Sequence, residues 1–117
     1  MAGGRKAQRK GYVEENNLVN KHKEIGIRAE RVPLSGAANH DGNGGDIDLY
    51  LFGENGEKTK TEVKARGNGE GFTMLEKWLG DHELMFLKRN RREAMVVVDW
   101  PLWVKILEAL IERENLA

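Results

Sequence analysis

Residues 46–66, DIDLYLFGENGEKTKTEVKAR, read as a β-hairpin. Over 46–52, Ile47, Leu49 and Leu51 alternate with Asp46, Asp48, Tyr50 and Phe52, the period-two pattern of a half-buried strand. Gly53, Asn55 and Gly56 supply the turn. A return strand over 58–66 then carries Thr59, Thr61, Val63 and Ala65 on one side and Lys58, Lys60, Glu62, Lys64 and Arg66 on the other. Glu62 and Lys64 therefore point the same way. The hairpin brings them to one edge with Asp46, 16 positions earlier (62 − 46).

Working outward, residues 12–25 carry Leu18, Val19, His22 and Ile25 at helical spacing, with Gly26 as a stop. Glu15 lies three and four residues before Leu18 and Val19 and so projects from the inward face. It either meets a partner there or stands half-exposed at a helix start favoured by the macrodipole. Residues 27–32 read as a short strand ending at Pro33, and 35–45 as a glycine-rich loop. That loop lacks the G-K-[ST] ending of a phosphate-cradling loop and leads into a strand instead of a helix.

Downstream, Thr73 and Glu76 have capping-box spacing at the start of a helix that Gly80 closes. Strands over 84–88 and 94–99 flank a basic turn around Asn90. Pro101 suits the first turn of a last helix, in which Trp103, Ile106, Leu107 and Leu110 share one face. The predicted order is α-β-β-β-α-β-β-α, an α/β (α+β) domain with a mixed sheet, single over 1–117, whose residues 1–10 form a basic N-terminal arm.

The chain has 117 residues with 39% hydrophobic and 32% charged side chains, enough for one core under a charged surface. No apolar run approaches the roughly 18 residues of a spanning helix, and the basic N-terminus lacks the apolar stretch of a signal peptide, so an intracellular, cytoplasmic protein without a membrane partner is expected. Cysteine is absent, which excludes disulfides, thiolate metal sites and cysteine nucleophiles. The net charge is zero, but basic residues cluster at Arg5, Lys6, Arg9 and Lys10, at Lys58, Lys60, Lys64 and Arg66, and at Lys88, Arg89, Arg91 and Arg92. Such clusters either line a phosphate-binding surface or serve as solvated faces.

The chemistry converges on the hairpin edge. Two carboxylates held close repel each other unless a cation intervenes, so Asp46 and Glu62 form a natural divalent-metal site. Mg²⁺ takes one or two carboxylates plus waters and phosphate oxygens. A bound metal acidifies water and offsets charge on a phosphodiester, while the Lys64 ammonium orients that water or stabilises the pentavalent centre. By spacing alone E-x-K is a weak signal, and the alternative is ordinary alternating surface charge. Of the histidines, His22 reads as a satisfied core residue and His40 as a loop residue near the site; the mechanism needs neither.

With Arg9-Lys10-Gly11 before helix one, Glu15 and Asn17 within it, Arg31 and Pro33 leading to Ser35-Gly36, then Asp46-Ile47 and Glu62-Val63-Lys64, the chain resembles the PD-(D/E)XK nuclease superfamily. More narrowly it resembles the archaeal-type Holliday junction resolvases, phage-encoded relatives included. The resemblance covers about the first 70 residues and more loosely the helix and two strands that follow. It implies a restriction-endonuclease-like core, with Asp46 and Glu62 as metal-binding carboxylates, the Val63 carbonyl as a third ligand and Glu15 completing the metal site. It also implies Lys64 as the catalytic lysine, Ser35 as a catalytic loop serine that contacts DNA, and Arg5, Lys10, Arg31 and Arg66 as phosphate contacts. Gly45 replaces the proline that names the superfamily motif.

The expected function is a structure-selective endonuclease that resolves four-way DNA junctions by metal-dependent hydrolysis. Mg²⁺ is the implied cofactor, with Mn²⁺ as a substitute and no organic cofactor. Two symmetric cuts from chains with one site each imply a C2 homodimer. Trp100, Trp103, Ile106 and Leu110 offer an interface, or else pack the core. The rivals are a nuclease of the same fold acting on other branched or linear DNA, a DNA-binding module without turnover, and an adaptor built on the basic faces.

Overall fold

The computed structural model describes residues 2–33, 46–69 and 71–116, with side chains described from residue 11 onward. The elements run α1 (Ala2–Ile25), β1 (Arg28–Arg31), β2 (Ile47–Tyr50), β3 (Thr59–Thr61), α2 (Phe72–Leu79), β4 (Leu84–Leu87), β5 (Met95–Val98) and α3 (Trp100–Leu116). This is the predicted order. Contacts gather the chain into two compact units, one of residues up to Ala65 together with those from Leu110, the other of Arg66–Ala109.

In the first unit, α1 begins ten residues before the predicted start at position 12. The apolar period starts only at Tyr12, but Ala2, Ala7, Gln8 and the basic residues are strong helix formers and carry the backbone helix back. Its end is a left-handed glycine cap. Gly26 has φ 110° and donates to the Lys23 carbonyl at 3.0 Å, and Ile27 donates to the His22 carbonyl at 2.9 Å. His22 is buried, and its Nδ1 donates to the Leu18 carbonyl at 2.6 Å, the satisfied core histidine the apolar face implied.

β1, β2 and β3 form an antiparallel sheet with β2 central, in the register Arg31↔Ile47↔Thr61 and Glu30↔Asp48↔Lys60. Val19 of α1 joins Ile27, Ala29, Ile47 and Leu49 in the core of this unit. Burying a side chain the size of Ile47 stabilises by roughly 1.5–3 kcal/mol. β2 departs from simple alternation, because Asp48 is buried together with Ile47 and Leu49.

The second unit holds α2 and the antiparallel pair β4–β5, with Leu84↔Val98 and Leu87↔Met95 at the ends of the register. The mixed sheet therefore gives way to two antiparallel sheets among the described residues. A parallel pair would need a strand returning through α2 to lie beside β1–β3, whereas β4 ladders with its own hairpin partner.

The capping box at α2 does not form. The helix starts at Phe72 behind Gly71, whose φ is 80°, so Thr73 already lies inside it and its hydroxyl donates to the Gly69 carbonyl at 2.8 Å. Gly80 closes the helix as predicted, its N–H donating to the Glu76 carbonyl. Asp99 caps α3, its Oδ1 accepting the Leu102 N–H at 3.0 Å, and Pro101 sits in the first turn. On α3, Leu107 is fully buried, while Trp100 and Ile106 are exposed. Among the described residues no helix is long and apolar enough to cross a membrane.

Candidate active site

The site is built where β2 begins. The Asp46 carbonyl accepts the Val32 N–H at 3.0 Å, and its own N–H donates to the Thr61 carbonyl at 2.8 Å, which ties this residue to both neighbouring strands. Its Oδ2 accepts the Val63 N–H at 2.7 Å. β3 ends at Thr61 and does not run to position 66, and two residues on the Val63 amide is bonded to this carboxylate. Burial still alternates from Thr59 to Arg66, as the hairpin reading requires, with Val63 half-buried and Glu62 and Lys64 exposed.

Glu62 and Lys64 do point the same way. Lys64 Nζ lies 2.9 Å from Glu62 Oε1, and both side chains are more than half exposed. The pair contributes little to folding, since an exposed ion pair is worth about 0–1 kcal/mol. It keeps a carboxylate and an ammonium together at the surface beside the residue that Asp46 holds.

Glu15 has found its partner in Arg31. The Arg31 Nε and Nη2 donate to Glu15 Oε1 at 3.1 and 3.0 Å, and the guanidinium lies over the Tyr12 ring, 4.2 Å from its centroid. Glu15 is buried, so this charge-assisted pair offsets the cost of desolvating its carboxylate. Arg31 stands opposite Ile47, one position along from Asp46, so the cluster and Asp46 lie at the same end of the sheet.

The structure therefore brings Asp46 to Val63, Glu62 to Lys64, and Glu15 to Arg31. Arg66 is exposed. Ser35 and His40 lie outside the described residues, as do the side chains of Arg5 and Lys10. Among the described residues no three Asp, Glu or His side chains gather into one cation-holding group. The ligands expected from the sequence, the Asp46 and Glu62 carboxylates and the Val63 carbonyl, are all hard oxygens, the donor chemistry that Mg²⁺ takes.

Sequence reasoning missed Asp48. It is 7% exposed, its Oδ2 lies 3.5 Å from Lys58 Nζ, and its Oδ1 has no hydrogen-bond partner. The available signal was its place in the central strand, between Glu30 and Lys60 in register, where a short carboxylate has a neighbour on either side.

At the opposite end of the sheet Arg28 acts as a clamp. It bonds Glu30 at 2.8 Å, stacks over Tyr50 at 4.1 Å and donates to the Glu54 carbonyl at 2.7 Å. The Arg28 hydrogen bond holds the Glu30 carboxyl below the usual carboxylate range, and Glu30 in turn raises Arg28. Compared with protein-family models, curated proteins and solved structures, the chain finds no match.

Proposed function

We propose that this chain is a Mg²⁺-dependent, structure-selective endonuclease of the PD-(D/E)XK type that resolves four-way DNA junctions as a C2 homodimer. The observation that carries the reading is the 2.7 Å hydrogen bond from the Val63 N–H to Asp46, which keeps the Glu62-Val63-Lys64 segment at the end of β2.

Asp46, Glu62 and the Val63 carbonyl would hold the metal, with Glu15 completing the site and Mn²⁺ as a substitute. When bound, the metal supplies an acidified water and positive charge against the scissile phosphodiester. Lys64 holds a proton at Nζ, where it orients water and offsets charge on the phosphate. Glu62 keeps that ammonium in place from 2.9 Å. Glu15 holds Arg31 at the same sheet end, and a guanidinium suits a phosphate oxygen of the bound strand. Ser35, Arg5, Lys10 and Arg66 are the further DNA contacts of this reading. Selectivity rests on junction shape and backbone contact, since no base-reading helix or zinc-finger pattern occurs in the sequence.

The test is cleavage of an end-labelled four-way junction beside linear duplex of the same sequence, with and without Mg²⁺, by wild type and Glu62→Gln. Paired, symmetric, metal-dependent cuts in the junction alone, lost in the variant, are the expected result. Equal cutting of linear duplex removes junction selectivity and keeps the nuclease. Binding without cutting leaves a DNA-binding module.

A further inference from the structure

The turn between β4 and β5 concentrates charge that the rest of this reading leaves unused. Lys88, Arg89, Arg91 and Arg92 against Glu93 give six residues, 88–93, a net charge of +3. The turn is closed by the Arg92 N–H donating to the Arg89 carbonyl at 3.3 Å, and that same carbonyl accepts Lys88 Nζ at 2.7 Å. Lys88 is thereby spent on holding the turn. Among the described residues, Arg28, Arg31, Lys58 and Lys64 are each paired with a carboxylate, whereas Arg89, Arg91 and Arg92 are in no such pair.

The three arginines line an open concavity of about 580 Å³ together with Leu87, Glu93 and Met95. Leu87 and Met95 are register partners and so form an apolar floor under a cationic rim. Arg91 adopts φ 63°, a left-handed conformation that glycine takes without strain and arginine rarely does.

We infer that the β4–β5 turn is a second DNA contact, in which Arg89, Arg91 and Arg92 grip phosphates of the backbone while Leu87 and Met95 take the apolar face of a deoxyribose. The planar guanidinium fork matches phosphate oxygens bidentately, and an unneutralised cluster gains from released counterions what a paired one does not. The inference names a further substrate contact for the endonuclease reading and rests on it for the identity of the ligand. An acidic protein segment is the competing occupant, and the apolar floor favours a sugar-phosphate chain over a run of carboxylates.

The test measures binding of a fluorescent four-way junction without Mg²⁺ across a salt titration, for wild type, Arg89→Gln with Arg92→Gln, and Arg91→Gly. The glycine variant suits the left-handed backbone, so a lost contact is separated from a lost fold. The log–log salt slope should become shallower by about 1.8 in the double variant and about 0.9 in Arg91→Gly, at about 0.9 per phosphate. Affinity should fall roughly tenfold or more in the double variant. Unchanged slope and affinity in both variants overturn the inference, and intact junction cutting beside that result leaves the endonuclease reading standing. A turn-dependent slope without any cutting does the reverse. A polyglutamate peptide that competes as well as the junction also overturns it, in favour of an acidic protein partner.

Discussion

The β1–β3 sheet and the β4–β5 hairpin use charge differently. In and beside the sheet, Arg28, Arg31, Lys58 and Lys64 each hold a carboxylate, Lys60 being the exception, over a core of Ile27, Ala29, Ile47 and Leu49. In the hairpin, three arginines without carboxylate partners among the described residues crown strands whose Leu84, Phe86, Met95 and Val96 are exposed. Arg31 holds the buried Glu15, and the exposed Lys64–Glu62 pair keeps two side chains of the proposed site in one geometry. The three hairpin arginines are the ones the proposed second contact would use.

This contrast can be broken most sharply at Lys64. Lys64→Ala should lower junction cleavage by about a hundredfold or more, the scale on which losing a group that stabilises developing charge is felt. Its unfolding free energy should stay within about 0.5 kcal/mol of wild type, because the pair with Glu62 is exposed. A comparable loss of stability, read by urea unfolding, would make the pair structural.

Ile47→Ala should cost about 2–5 kcal/mol by the same method, whereas Phe86→Ala, at a side chain 65% exposed, should change stability by less than about 0.5 kcal/mol. Equal costs would mean that the hairpin face is covered in solution, and the comparison between the two regions would fail. Asp99→Ala should cost about 1 kcal/mol through the lost cap on Leu102.

The smallest effect is expected at Glu30. Its carboxyl is held below the usual range chiefly by the Arg28 hydrogen bond. A group depressed in this way contributes its stabilisation above the ordinary carboxylate pKa and loses it as pH falls through the lowered value. Glu30→Gln should therefore be slightly less stable than wild type at neutral pH and indistinguishable from it in strong acid. Because the pair is on the surface, added salt should also shrink the difference.

Much of this was legible in the sequence, and particular residues say why. The alternation around Ile47 and Leu49, the turn at Gly53 to Gly56 and the helical spacing through Leu18 and His22 are local patterns, and local patterns survive folding. The inward place of Glu15 was readable too, along with its need of a partner, because helix geometry fixes where that side chain projects. What eluded reading depends on tertiary neighbours. Asp48 alternates like a surface residue, yet its strand is central and both sides of it are covered. Thr73 has the spacing of a cap, but the turn at Gly69 starts the helix early and places the hydroxyl inside it. The return strand looked continuous to Arg66 because its alternation is continuous; that the Val63 amide meets the Asp46 carboxylate is a matter of one side chain's reach. The separation into two antiparallel sheets is likewise a pairing choice that periodicity does not encode.

The central claim is that the end of β2 is a cutting centre, and Asp46→Asn tests it most directly. The amide keeps an oxygen to accept the Val63 N–H but removes the charge. Single-turnover cleavage of a four-way junction in Mg²⁺, measured beside thermal unfolding, should fall by about a hundredfold or more with the fold intact. Cleavage at the wild-type rate by a folded Asp46→Asn protein would contradict the account.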